Sequence, residues 1–349
     1  MHNTDVLLTF TCKGLGTNAA NMVFFFLTLA STQQGVLGEP DNVTFNYRLS
    51  IGLSLVMLFG ILPYRIMSEE SAQFKEMVKK QKEQKIQSPG YGILFSYYGL
   101  RLVGTMGSWF LWDIIQYGNS LFSKQITGAF DGGLTEVQTS GYAWLYEVCS
   151  LLGYFVAAFT VDAKWMGRRR MQLMGFFFVG VLFFIFGGVT PTLQRNNQAG
   201  VFVFLYCVAK FFSNFGADGT TFLIPSEVFA TPVRARAHGM SAFSGKVGAL
   251  VGTYGVGALL DATSLPILFY FLGAVALGGG VFTYFLIPES GDIDIQAEDV
   301  KFVEKWLGKE KAAKWFASKR DVDALEIDVP EMDALSLQDA VPEVEVTPK

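Results

Sequence analysis

The sequence predicts an all-α integral membrane protein of eight transmembrane helices, on three observations. Hydrophobic residues make up 51% and aromatic residues 15% of the chain, with 33 Phe against only 17% charged residues, a composition typical of membrane-embedded chains. Eight stretches are long and apolar enough to cross a hydrocarbon core, which takes about 20 helical residues. Lys and Arg gather in alternate connections between those stretches, as the positive-inside rule requires of a chain threaded back and forth through a bilayer.

The first span runs from Val6 to Ala30 and carries Lys13; the second runs from Tyr47 to Met67. Between them the Asn42-Val43-Thr44 sequon falls on the outer side, where glycosylation is chemically open to it. The connection Ser68 to Gly92 holds Lys75, Lys79, Lys80, Lys82 and Lys85, and its Lys/Glu/Gln-rich first part reads as a solvated, partly helical linker. The third span is Tyr98 to Phe122 and the fourth Tyr142 to Val161, followed by a basic turn with Lys164, Arg168, Arg169 and Arg170. The fifth is Met171 to Pro191 and the sixth Gly200 to Ile224; Arg234 and Arg236 precede the seventh, His238 to Leu260. The eighth is Pro266 to Ile287. Lys124 and Arg195 are the clear basic residues in the other connections. The basic set is therefore expected in the cytoplasm, and an even number of spans puts both termini there. After Ser290 hydropathy collapses; Ile295 to Phe316 reads as an amphipathic helix and the acidic, Pro-containing end as disordered. The expected division is 1–67 for two spans, 68–92 for the central connection, 93–290 for six spans and 291–349 for the tail.

The third span poses the chemical question, because Asp113 stands halfway along it. An ionised side chain at mid-membrane costs about 2.5 to 3.5 kcal/mol even on the lenient insertion scale, so it faces a bundle interior. Trp109, Asp113 and Tyr117 recur every four residues, with Thr105 one turn further back, so an indole, a carboxylate and a phenol share one helix face. Aromatic groups beside a carboxylate can stack on and hydrogen-bond a ligand, whereas a carboxylate merely paired within the bundle needs none. Away from their ends the spans also hold Lys13, Glu147, Lys210, Asp218 and Lys246, which with Asp113 makes three cations and three anions and suggests internal pairing. For Glu147 and Lys210, which have no aromatic constellation of their own, structural ion pairing is one open reading. Lys246 sits beside Gly248, Gly252 and Gly255, a small-residue face that admits a neighbouring helix closely and points the ammonium into the bundle. Asn214 to Thr221 interrupts the sixth span with Gly216 and Gly219, which suits either a discontinuous helix lining a cavity or a simple kink.

Other function classes find little support. Cys12, Cys149 and Cys207 lie in apolar segments without metal-ligand or disulfide spacing, so no metal site is expected. The net charge of −4 comes from the tail after Asp321, and no basic, aromatic-interleaved patch suggests a nucleic-acid partner. The N-terminus lacks the basic, apolar and small-residue succession of a cleavable signal peptide. No nucleophile-base pair or phosphate-cradling glycine loop points to an enzyme, and no cofactor is expected.

Several motifs in order resemble the major facilitator superfamily, and within it the phosphate:proton symporters of fungi and plants. Asp162-Ala163-Lys164-Trp165-Met166-Gly167-Arg168-Arg169-Arg170 resembles the superfamily's Asp-x-x-Gly-Arg-Arg loop, with two extra residues between Asp and Gly. Gln172 to Phe176 is similar to the segment that follows it in phosphate transporters. Pro225-Ser226-Glu227-Val228-Phe229, with Arg234 and Arg236, resembles a loop shared with sugar porters. His238 to Ala242 and Ser244-Gly245-Lys246 are similar to the phosphate branch, and Pro288-Glu289-Ser290 to the motif that closes the last helix. The resemblance covers about Arg101 to Ser290. It implies a fold of twelve helices in two halves, of which the eight spans match the fifth to twelfth. It also implies that Trp109, Tyr117, Asp218 and Lys246 bind substrate, that Asp113 carries the proton, and that Asp162, Gly167, Arg168, Arg169, Glu227 and Arg234 belong to gating loops. Asp218 stands where the family usually has Asn, so a carboxylate there repels phosphate unless it is protonated or paired with Lys246.

The function this implies is secondary active transport of inorganic phosphate with a proton, by alternating access in the plasma membrane. An organic phosphate such as a glycerophosphodiester, or a sugar-like solute, is the alternative that Asp218 suggests. A non-transporting fragment or incomplete gene product is the alternative of another class, because four of the family's helices have no counterpart here.

Overall fold

The structure is a computed structural model that describes residues 3–33, 40–68, 75, 79, 82, 86–121, 128, 135–196, 198–289, 291 and 293–323. The described residues form helices and no strands. Helix α1 spans Asn3–Gln33, α2 Pro40–Met67, α3 Tyr91–Leu121, α4 Glu136–Thr160 and α5 Arg168–Arg195. The sixth span is two helices, α6 (Ala199–Phe215) and α7 (Ala217–Glu227); α8 (Thr231–Ala262) and α9 (Leu265–Leu286) complete the apolar set. Two short helices follow, α10 (Ile295–Leu307) and α11 (Lys309–Asp323), where the sequence suggested a single one. Gly308 separates them at φ +82°, a left-handed conformation that ends a helix and that glycine adopts without strain. Residues Met1–Phe302 make one unit and Val303–Lys349 another. Most of the Ser68 to Ser88 linker, Lys124, and the tail beyond residue 323 lie outside the described residues. The Asn42 sequon falls in the first turns of α2.

Each of the eight expected spans has a helical counterpart, but they differ in apolarity. Six are long and apolar enough by themselves to cross a membrane: Tyr47–Met67, Glu136–Thr160, Arg168–Arg195, Ala199–Glu227, Thr231–Ala262 and Leu265–Leu286. Helices α1 and α3, at 31 residues each, have the length, but they carry Lys13, Arg101 and Asp113. On α3 the polar residues turn inward: Thr105, Ser108, Asp113 and Asn119 are all buried. At the other extreme, α2 has no buried residue from Tyr47 to Met67, and its main packing partner among the described residues is α1.

Five helix–helix crossings dominate the packing of the bundle. Helix α8 packs most extensively on α3, α9 on α5 and α3, and α4 on α1 and α6. At the first crossing, a Cβ on Gly252 would lie 2.5 Å from the Ile114 carbonyl, one on Gly248 would run into the Phe110 carbonyl, and one on Gly245 into the Trp109 ring. The anticipated small-residue seam therefore consists of Gly245, Gly248 and Gly252, whereas Gly255 faces open space beyond a residue of its own helix. Where α6 gives way to α7, Gly216 and Gly175 of α5 meet backbone to backbone, so that a Cβ on Gly175 would sit 2.7 Å from the Gly216 Cα. The break is a true interruption, and Thr220 and Thr221 return their buried hydroxyls to the Gly216 and Ala217 carbonyls at 2.8 Å each. Behind it lies an aromatic core of Trp112, Phe176, Phe183, Phe186, Phe202, Tyr206 and Phe269.

Candidate functional site

The glycine seam lays the polar face of α3 directly on α8. Pairs form in register along it: Thr105 Oγ1 and Ser241 Oγ are 2.8 Å apart, and Trp109 meets His238 edge to face with ring centroids 5.6 Å apart. One turn on, Lys246 Nζ lies 3.8 Å from Asp113 Oδ2 and donates to Tyr117 Oη at 3.0 Å, with its ammonium 5.0 Å from the Tyr117 ring centre. Asp113 is 7% exposed in its side chain and its Oδ2 has no hydrogen-bond partner, while Lys246 is 65% exposed. The carboxylate is thus set back in the wall and the ammonium projects from it. A buried carboxylate oxygen without a donor is poorly solvated, and a proton would relieve that cost.

Asp218 belongs to a second group, built on the first turn of α7. Lys13 Nζ of α1 donates to its Oδ2 at 2.8 Å, the Trp112 indole donates to Oδ1 at 3.1 Å, and the Tyr154 hydroxyl donates to Oδ2. The positive end of the α7 dipole adds to these donors. The expected pairing of Asp218 with Lys246 does not form. Helix α8 commits Lys246 to α3 through the glycine seam, and α1 supplies the ammonium that Asp218 needs. Trp112 and Tyr154 were missed from sequence; Trp112 lies next to Asp113 but about 100° round the helix, on the core side. Glu147 and Lys210 form no ion pair among the described residues; Lys210, 5% exposed, donates to Ser120 Oγ at 3.3 Å and sits over the Tyr206 ring.

A third group ties one end of the bundle together. Arg168, at the start of α5, donates to Asp162 Oδ1 at 2.7 Å, to Glu227 Oε2 at 3.2 Å and to the Val161 carbonyl at 3.3 Å. Glu289 accepts the Arg168 backbone N–H at 2.9 Å, filling the helix start next to Gly167, whose φ of +72° and close contact with that carboxylate leave no room for a side chain. The loop residues Asp162, Gly167, Arg168 and Glu227 thus meet, joined by Glu289. Arg169 stands at their edge, its guanidinium on the Tyr284 carbonyl and over that ring. Arg234 lies apart from the cluster, bonding the Phe229 carbonyl at 3.0 Å and Thr231 Oγ1 at 3.2 Å. A neighbouring cluster, also unforeseen, joins Glu298 to Arg101 at 2.7 Å and to Tyr98 at 3.0 Å.

A multi-pass helical bundle with an interrupted span and charged residues on its inner faces suits the fold of the major facilitator superfamily. The chain belongs to that superfamily: the family described as sugar (and other) transporter matches residues 117–302, more than half of its length. It is 32% identical over 305 residues to the probable inorganic phosphate transporter 1-6 of Arabidopsis thaliana, covering 72% of this chain and 57% of that protein. It is 32% identical over 364 residues to the repressible high-affinity phosphate permease of Neurospora crassa, covering 83% and 63%. The chain therefore spans a little over half the length of these curated relatives. In fold it is similar to the proton:xylose symporter XylE bound to 6-bromo-6-deoxy-D-glucose, with a TM-score of 0.64 at 15% identity, over 87% of this chain and 67% of that one.

Proposed function

We propose that the chain serves in secondary active transport of inorganic phosphate coupled to protons, and that its site is the Asp113, Tyr117 and Lys246 group with Trp109 beside it. The observation that carries this reading is the Lys246 ammonium, projecting 3.0 Å from a phenol and 3.8 Å from a buried carboxylate. An arriving phosphate would take the ammonium and the phenolic O–H. Asp113, losing its ion-pair partner Lys246 to the anion, is then best left neutral by a proton. Anion and proton binding support each other in this way, which is what symport requires. The names of the relatives, phosphate transporters of plants and fungi, support the choice of solute.

In this reading α1 and α2 belong to one lobe and α3 to α9 to the other. Alternating access rocks the lobes about the site, and the Asp162, Arg168, Glu227 and Glu289 cluster closes the cytoplasmic end. The termini then lie in the cytoplasm, and the plasma membrane is the expected location. The test is uptake of radiolabelled phosphate by the purified chain in proteoliposomes under an imposed pH gradient. Accumulation that needs an acidic outer side supports the reading; uptake indifferent to the gradient removes the proton from it.

A further inference from the structure

We propose that Lys13 is a second anion-facing cation of this site and that Asp218 is its buried counter-charge, the pair setting how strongly the site holds phosphate. The inference rests on the phosphate reading above and assigns a role to a residue from a different helix, α1. Lys13 Nζ has one hydrogen-bond partner among the described residues, Asp218 Oδ2 at 2.8 Å, although an ammonium has three N–H groups to give. Its side chain is 54% exposed, while that of Asp218 is 6% exposed. The pair is therefore polarised: an ammonium in front with donors to spare, a carboxylate behind.

Asp218 itself is not free to act on a ligand. Three donors, from Lys13, Trp112 and Tyr154, fill its two oxygens. What it does is hold the lysine, whose ammonium lies over the Phe10 and Tyr154 rings, 5.5 and 5.9 Å from their centres. Trp112, which donates to Asp218 at 3.1 Å, is the residue before Asp113, which lies 3.8 Å from Lys246, so one turn of α3 touches both ion pairs. Lys13 and Lys246 against Asp113 and Asp218 sum to zero. When Asp113 takes its proton the sum becomes +1, and two ammonium groups rather than one are then available to an anion with several oxygens.

Removing one member of the pair therefore moves phosphate affinity in opposite directions. Lys13→Gln leaves an uncompensated carboxylate and repels the anion, whereas Asp218→Asn leaves an uncompensated ammonium and attracts it. Losing both restores the balance. The experiment is calorimetric titration of the purified chain in nanodiscs with inorganic phosphate at one fixed pH, for wild type, Lys13→Gln, Lys13→Arg, Asp218→Asn and the Lys13→Gln/Asp218→Asn double variant. The expected result is Kd raised about tenfold or more by Lys13→Gln, lowered about threefold or more by Asp218→Asn, and within about threefold of wild type for Lys13→Arg and the double variant. A pair that only stabilises the fold would weaken binding in both single variants. That pattern, or unchanged affinity in Lys13→Gln, overturns the inference while leaving the phosphate reading standing. Where Lys13→Gln fails to fold, the double variant and Asp218→Asn decide: a double variant bound as tightly as Asp218→Asn shows that Lys13 faces no anion. A wild type that does not bind phosphate overturns the phosphate reading, and this inference with it.

Discussion

Trp112 and Asp113 are adjacent in sequence yet serve different faces of α3, about 100° apart. The indole donates into the bundle core to Asp218 at 3.1 Å, while the carboxylate faces the α8 seam with Lys246 3.8 Å away. A single turn of helix thus touches both ion pairs, and a change at either residue is read at two places.

Asp113→Asn separates proton coupling from anion binding. The amide keeps the shape of the protonated acid, so phosphate exchange down its gradient should persist while accumulation driven by a pH gradient is lost. Counterflow and net uptake in the same proteoliposomes check this, and unchanged accumulation removes Asp113 from the coupling.

Arg168 is the hub whose loss should be felt in stability first. Its guanidinium reaches Asp162, Glu227 and the Val161 carbonyl from a site only 5% exposed. Arg168→Met leaves the Glu227 carboxylate buried without its cation, at a cost of about 3 to 5 kcal/mol. Arg168→Lys keeps the charge but not the planar fork and should fall between. Unfolding in mild detergent, followed by helical signal, gives the order.

The glycine seam can be tested against its own exception. Gly248→Val drives a side chain into the Phe110 carbonyl and should cost about 1 to 3 kcal/mol through displaced packing, and more if α3 and α8 part. Gly255→Ala meets only open space and should change stability by less than about 0.5 kcal/mol. Equal effects at the two positions would mean that the helices do not cross where Gly248 places them.

Lys210 offers a substitution expected to stabilise. It is buried with a hydroxyl and an aromatic ring and no carboxylate within ion-pair distance among the described residues. Lys210→Met keeps its length and removes the desolvation cost, and should raise stability by about 1 kcal/mol or more. A loss of stability would reveal that Glu147 depends on this ammonium at longer range.

Much of this arrangement was legible in the residues because it obeys one helical period. Trp109, Asp113 and Tyr117 share a face by spacing alone, and Gly248 and Gly252 announce a close crossing. The Asp162 to Arg170 loop and the Glu227 loop were each readable as a motif, but their meeting is seen only in the packing. The Lys13 to Asp218 pair was not legible, since its members are 205 residues apart on helices whose neighbours no local pattern dictates. Lys246 was the cation that the sequence offered to neutralise Asp218, but the glycine seam spends Lys246 on α3. Tyr154 looked like any aromatic in an apolar span, and only the packing of α4 against α1 and α6 shows where its hydroxyl points.

Helix α7 is cut loose from α6 at Gly216, yet α5 grips it at both ends: by bare backbone at Gly175 and by the Arg168 to Glu227 ion pair. Eleven residues make a rod about 16 Å long at 1.5 Å per residue. Glu227 of the loop cluster and Asp218, which holds Lys13 of α1, stand at the two ends of this one short helix, with Pro225 between them. The interruption in the sixth span therefore sets the loop cluster and the charges in the middle of the bundle on a single segment that is separate from the helix before it.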